Sequence, residues 1–255
     1  MTVQVTNLVK SYVDKKRGQV EAVKDVSFTA NSGTVLGLLG LNGAGKTTTL
    51  RVICTILRPT GGSVLVNGFD VLKEADQVRS QLGYLPADTS LPTNITPREV
   101  LQFYGQLCKY PQQKLTSRVE QVIELLEMQA FADAYCQRLS TGQKRKVAFA
   151  RAIVHDPPVL IFDEPSANLD VVTAVKIREL LRALRGENKC ILLSTHNMTE
   201  AEKLCDDIVV IHDGRVMATG TLAQLRAAEG DRNLEEIFVS IASGNTERDD
   251  NSNSV

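Results

Sequence analysis

Gly40-Leu41-Asn42-Gly43-Ala44-Gly45-Lys46-Thr47 has the spacing G-x-x-x-x-G-K-[ST], which suits a polyphosphate. Glycines let a backbone curl with its N–H groups turned inward, and a helix N-terminus behind the curl adds partial positive charge. The flanks fit this reading. Val35-Leu36-Gly37-Leu38-Leu39 reads as an apolar strand, and Leu50, Ile53, Cys54 and Leu57 recur at the spacing of one helix face. In such a loop Asn42, Gly43, Ala44, Gly45 and Thr48 surround the phosphates of a nucleoside triphosphate. Lys46 reaches the β- and γ-phosphates, and the Thr47 hydroxyl ligates Mg²⁺. The competing reading, a plain Gly-rich turn, is disfavoured by the strand before it and the helix after it.

A second constellation is Pro158-Val159-Leu160-Ile161-Phe162-Asp163-Glu164-Pro165. An apolar run ending in two carboxylates predicts a buried parallel strand with acids at its carboxyl end, where ligands sit in open α/β sheets. Asp163 suits Mg²⁺, and Glu164 suits a general base that polarises the attacking water. Taken alone, the pair would equally be a solvated acidic turn; beside a phosphate loop it is a hydrolytic pair.

Strands and helices alternate around these residues, as in a layered α/β fold. Strand-like pieces are predicted at Thr2–Leu8, Val26–Thr29 and Ser63–Val66, and the helix after the phosphate loop is expected to run to Pro59 and the turn Thr60-Gly61-Gly62. From Thr89 to His155 the pattern is helical. Val100, Phe103, Tyr104, Leu107 and Cys108 form one stripe, and Val119, Val122, Ile123 and Leu126 form another. Strands resume at Val159–Phe162, Cys190–Ser194, Ile208–His212 and Val216–Thr219. The polar run from Gly244 onward predicts a disordered tail.

Bulk properties set limits. The 255 residues suffice for a substantial core, and a formal net charge of -1 gives no support for a nucleic-acid surface. Cys54, Cys108, Cys136, Cys190 and Cys205 are odd in number and widely spaced, and read as reduced, mostly buried thiols of a cytosolic protein. The N-terminus lacks the layout of a signal peptide, and no apolar run approaches the ~18 residues of a membrane span. Any membrane role is therefore expected to come through a partner.

Leu139-Ser140-Thr141-Gly142-Gln143 stands before a predicted helix beginning Lys144-Arg145-Lys146. Serine, a backbone-exposing glycine and a helix N-terminus make an anion site; on the residues alone the segment reads as a helix cap, and the basic run as a solvated face. With it, the ordered motifs from Val3 to Leu225 resemble the ATP-binding cassette (ABC) family of nucleotide-binding domains, this segment matching the signature LSGGQ with Thr141 for the first glycine. The resemblance implies a RecA-like P-loop NTPase core in the α/β class, with an N-terminal antiparallel β region and an inserted helical subdomain at about 89–155. It implies a nucleotide-binding domain over 1–225, a C-terminal helical extension over 226–243 and a tail over 244–255.

The same resemblance assigns roles one position at a time. Ser140, Gly142 and Gln143 would contact the γ-phosphate bound to the other protomer of a head-to-tail dimer. Tyr12, in Lys10-Ser11-Tyr12, would stack on adenine, the alternative being a surface tyrosine. His196, after Ile191-Leu192-Leu193-Ser194-Thr195, resembles the switch histidine at the γ-phosphate. Ser166-Ala167-Asn168-Leu169-Asp170 resembles the D-loop, with Asn168 where glycine is usual and Asp170 joining the protomers. One position departs: after Leu82-Gly83-Tyr84-Leu85-Pro86 the family's Q-loop supplies glutamine, and here stands Ala87, followed by Asp88. A methyl group cannot ligate Mg²⁺ or orient water, so that role is vacant or passes to Asp88. With Thr141 and Thr96-Pro97-Arg98-Glu99, this resembles the sodium-efflux (Nat-type) branch of ABC exporters.

The expectation is thus an ATPase subunit that uses ATP and Mg²⁺, pairs as a homodimer or with another ABC subunit, and drives an integral-membrane permease. That permease would dock near Arg79–Glu99 and hold the subunit at the cytoplasmic, inner face of the cell membrane. A soluble ABC ATPase acting on nucleic acid or ribosomes is the alternative, opposed by the single cassette and near-neutral charge; nucleic acid is not an expected partner. The signature segment disfavours a metabolic kinase.

Overall fold

The computed structural model describes residues 2–14, 18–88, 90–167, 171–229 and 232–241. The chain opens with β1 (Thr2–Asp14), β2 (Gly18–Asn31), β3 (Val35–Leu39), α1 (Lys46–Ile53), β4 (Gly61–Val66), β5 (Phe69–Asp70), α2 (Ala75–Ser80) and β6 (Leu82–Leu85). Helices follow: α3 (Pro97–Leu107), α4 (Gln112–Leu125), a 3₁₀ turn at Cys136–Arg138, and α5 (Thr141–Ile153). The chain then forms β7 (Val159–Asp163), α6 (Val171–Gly186), β8 (Cys190–Thr195), α7 (Met198–Leu204), β9 (Asp207–His212), β10 (Arg215–Thr221) and α8 (Leu222–Glu229). Residues 234–241 are helical as well. The expected tail over 244–255 lies outside the described residues.

The strands order as β5-β4-β1-β2-β10-β9-β3-β8-β7-β6. β9, β3, β8, β7 and β6 pair in parallel, and every residue of β3, β7 and β8 is buried. Helices cover both faces of such a sheet, which is why these strands read as unbroken apolar runs. The expected N-terminal antiparallel region is present: β1 pairs antiparallel with β2 and β4. It is joined to the parallel strands by β10, which pairs with β2 at Arg215 and Asp25 and runs antiparallel to β9.

Three local expectations are corrected. β1 and β2 run well beyond Leu8 and before Val26, because register shifts along β1 let one twisted ribbon continue through its polar residues. α1 stops at Ile53 rather than near Pro59: Cys54 caps it and Thr55 turns left-handed at φ 60°, so Leu57 lies off the helix. α5 starts at Thr141 rather than Lys144, because Ser140 and Gln143 close a capping box around its first turn.

Between β6 and β7 the inserted helices bury Val100, Leu101, Val119, Val122 and Ile123 against Phe149 of α5. α3 has its own capping box from Thr96 and Glu99 with Pro97 at its first position, a start worth about 1 kcal/mol. α5 is pressed onto the sheet: a Cβ at Gly83 would lie 2.0 Å from the Ala152 carbonyl. The Phe149 ring stacks on Phe162 of β7 at 4.7 Å, worth ~0.5–1.5 kcal/mol beyond its burial. This seat brings α5 up to the carboxyl ends of β6 and β7. All five cysteines are free thiols, three of them buried. Among the described residues no helix is long and apolar enough to cross a membrane.

Candidate active site

The loop between β3 and α1 bends back on itself at Gly45, whose φ is 105° and whose added Cβ would strike the Ala22 carbonyl at 2.5 Å. Only glycine satisfies both conditions, and the loop so formed borders a cavity of about 370 Å³. Asn42, Gly43, Ala44, Gly45, Lys46, Thr47 and Thr48 line it, together with Ala22, Ala87 and Glu164. Seven sequence-predicted residues of the phosphate loop therefore share one wall with the predicted base.

Lys46 is buried, and its ammonium donates to the carbonyls of Gly40 at 2.7 Å and Leu41 at 3.1 Å. It stands 3.9 Å from Glu164 Oε1. Burial pulls its pKa below the ordinary lysine value, and the charges of Glu164 and Asp163 oppose that shift. A triphosphate entering the cavity would offer the ammonium oxygens in place of neutral carbonyls.

Asp163 ends β7 fully buried. Its Oδ1 accepts from Ser194 Oγ at 2.5 Å and from Thr47 Oγ1 at 3.1 Å. Its Oδ2 is buried with no hydrogen-bond partner among the described residues. An orphaned carboxylate oxygen is costly unless something completes it, and an oxygen-ligated cation beside Thr47 would do so. The donor set, one carboxylate and one hydroxyl at a phosphate loop, fits Mg²⁺.

Glu164 adopts φ 50°, a left-handed conformation unusual for a glutamate. Its N–H donates to both the carbonyl and the hydroxyl of Ser194, each at 3.1 Å. Its carboxylate lies 3.0 Å from Nδ1 of the half-exposed His196. The reversed backbone turns the Glu164 side chain into the cavity while Asp163 stays in the sheet. Adjacent acids thereby obtain different surroundings.

Ser140, Gly142 and Gln143 do not line this cavity. Ser140 accepts from the Gln143 N–H at 3.3 Å and returns its own N–H to Gln143 Oε1 at 2.9 Å. Within one chain the segment is thus the helix cap that its residues describe. Ser140 is exposed, and a side chain at Gly142 would meet nothing within 4 Å, so the start of α5 is open to solvent. Tyr12 is exposed on β1, paired with Val20 two residues before Ala22, with Lys10 Nζ 5.0 Å from its ring centre. It flanks the cavity without lining it. Asn168 and Asp170 lie outside the described residues.

Four residues of the site escape the sequence reading. Ser194 holds both acids, and its only signal is one of two hydroxyls, with Thr195, at the end of an otherwise apolar strand. Ala22 supplies a main-chain wall. Glu200 of α7 is buried and accepts from Thr195 Oγ1 at 3.0 Å and from Ser166 Oγ, so it joins the loop after Glu164 to the strand before His196. Arg145 lies in the basic run read as a solvated face, and it is buried.

Ala87 lines the cavity, whereas the exposed Asp88 does not. Mg²⁺ sheds water reluctantly, and a second carboxylate would repel the phosphates, so water is expected beside Ala87. Asp88→Ala should therefore leave the Mg²⁺ concentration for half-maximal ATP hydrolysis within about twofold, and Ala87→Gln should raise basal turnover. A titration in which Asp88→Ala needs far more Mg²⁺ would show that the aspartate has taken over the role.

A family model described as ABC transporter matches residues 23–167. An AAA-domain model overlaps it at residues 135–202. The ABC transporter ATP-binding protein NatA of Bacillus subtilis (strain 168) is 38% identical over 239 residues, covering 93% of this chain and 97% of that protein. The Nod factor export ATP-binding protein I of Paraburkholderia xenovorans (strain LB400) is 39% identical over 226 residues, covering 89% of this chain and 74% of that one. A solved ATP-binding subunit of an ABC transporter superimposes with TM-score 0.87 at 29% identity, covering 94% of this chain and 99% of that one. A dimeric ATP-binding cassette in a post-hydrolysis state, bound to ADP and Pi, superimposes with TM-score 0.79 at 26% identity, covering 86% of this chain and 98% of that one.

Proposed function

Because the chain belongs to the ABC transporter family of ATP-hydrolysing, ATP-binding proteins, we propose that it is the ATPase subunit of an exporter and works as a head-to-tail dimer around two ATP molecules. The dimer would drive a separate membrane permease from the cytoplasmic face. The carrying observation is the incompleteness of the single chain: the cavity holds the phosphate loop and Glu164 but none of Ser140, Gly142 and Gln143. Those residues instead stand at an open helix N-terminus, a place built for an anion that this chain's own cavity does not supply. Export is favoured over uptake by the similarity to a Nod factor export protein. The similarity to NatA and to a Nod factor export protein leaves the solute open, and specificity would reside in the permease.

Hydrolysis follows from the placement of the side chains. Lys46 and the N–H groups at the start of α1 would stabilise charge spread over the β- and γ-phosphate oxygens. Glu164, angled into the cavity by its reversed backbone, accepts the proton of the attacking water. His196, held against Glu164 through Nδ1, keeps its other ring nitrogen for the γ-phosphate. Thr47 and Asp163 would hold Mg²⁺, which when bound would neutralise part of the phosphate charge. From the second copy, Ser140 and the exposed start of α5 would close the far side of the γ-phosphate and exclude water.

A complementation experiment tests the shared site. A Ser140→Arg chain spoils the site of its partner, and a Lys46→Ala chain spoils its own. In a mixed dimer both lesions fall on one composite site and the other is intact. Mixing two inactive proteins should restore ATPase activity, approaching half the wild-type rate per heterodimer. Absence of recovery at every ratio, with heterodimers demonstrated by crosslinking, would count against independently working composite sites.

A further inference from the structure

Arg145 is almost fully buried, yet it lies among basic neighbours on a helix whose first turn is open to solvent. A guanidinium has five N–H donors in a rigid planar fork. Among the described residues, five hydrogen bonds run from it to main-chain carbonyls of two separate loops. Nη1 donates to Pro86 at 2.7 Å and Ala87 at 3.0 Å. Nη2 donates to Glu164 at 2.7 Å and Asp163 at 3.2 Å, and Nε to Pro165 at 3.4 Å. The two loops are those that carry Glu164 and Ala87 into the phosphate cavity.

We propose that Arg145 is a positioning residue for ATP hydrolysis, holding the reversed backbone at Glu164 and tying the Glu164 and Ala87 loops to the helix that begins at Ser140. The inference rests on the hydrolytic reading above. Three successive carbonyls, those of Asp163, Glu164 and Pro165, face one group. That arrangement requires the chain to curl around the guanidinium, and the left-handed φ of Glu164 is where it curls. Four residues further along α5, Phe149 stacks on Phe162, so one helix face holds the end of β7 at two successive turns. Burial pulls the arginine's pKa below its ordinary value, with Asp163, Asp88 and Glu164 opposing; the cation has been desolvated for the sake of these contacts. Any shift of Ser140 toward a partner's nucleotide would therefore reach this chain's own base through one side chain.

The test compares Arg145→Lys and Arg145→Gln with Arg151→Lys, a control on the same helix whose side chain stacks over Tyr104 instead. Lysine keeps the charge but offers three donors from a single point, and glutamine offers two, so neither spans both loops. Turnover should fall about 10–100-fold in both variants, as a displaced catalytic group implies. KM for ATP should stay within about threefold, because Lys46 and the loop N–H groups are untouched. Arg151→Lys should hydrolyse at the wild-type rate. Rates are taken at a temperature where circular dichroism shows each variant fully folded; if Arg145→Gln does not fold, Arg145→Lys decides. A folded Arg145→Lys or Arg145→Gln with wild-type kcat, or a loss expressed in KM alone, would overturn the assignment while leaving the hydrolytic reading intact. A wild-type protein no faster than Glu164→Gln would bring down both.

Discussion

Glu164→Gln should still bind ATP and should turn it over ~10²–10⁴-fold more slowly. The substitution keeps the shape of the side chain, its place in the cavity and a polar atom for His196 Nδ1, now 3.0 Å from Oε1. What it removes is the basic carboxylate that accepts the proton of water. It also removes a negative charge 3.9 Å from Lys46 and so eases the approach of a polyanion. ATP affinity should therefore hold or improve, and an ATP-dependent dimer should accumulate because hydrolysis no longer reopens it. Phosphate release and size-exclusion chromatography with and without ATP read the two effects separately. Near-wild-type phosphate release would refute Glu164 as the base and with it the division of labour between the adjacent acids.

Lys46→Ala should abolish hydrolysis and weaken ATP binding by roughly 10–100-fold, the scale of one or two charge-assisted hydrogen bonds. Unlike Glu164→Gln, this change acts on ground state and transition state together, so affinity and turnover should fall in the same protein. The fold should survive. The ammonium is already desolvated, with its pKa lowered by burial, and it donates to two neutral carbonyls of its own loop. Calorimetric titration with ATP measures the first effect and thermal melting the last. Unchanged affinity in a folded variant would falsify the assignment of this loop as the phosphate site.

The elements that make the phosphate site were legible in the sequence because they are local. Gly40 through Thr47 occupy one strand-to-helix turn, and the glycine at 45 is dictated by a φ of 105° and a carbonyl 2.5 Å from any added Cβ. β7 was legible for a similar reason: an apolar run buried on both faces must stop where charge begins, so Asp163 and Glu164 had to lie at its carboxyl end. Hydrophobic periodicity likewise placed the helical insert, because stripes at Val100 and Val119 have to face something apolar. The resemblance to a family then supplied roles for Ser140 and His196 that spacing alone could not.

Only the tertiary structure decided which distant groups meet. Thr47 donates to Asp163 across 116 residues of chain, and no local pattern encodes that distance. Arg145 read as one charge in a solvated basic run, yet among the described residues it donates to main-chain carbonyls. Every residue carries such a carbonyl, so the sequence holds no mark of them, and only the packing of α5 on β6 and β7 gathers five around one guanidinium. Ser194 was hidden for a related reason, since a hydroxyl near the end of an apolar strand acquires meaning only from the acids on the neighbouring strand. The signature segment shows the converse. Its local physics, a capping box, was readable from Ser140 and Gln143, but its absence from the cavity was not, because whether a helix N-terminus faces its own chain or another is fixed by topology rather than by residue type.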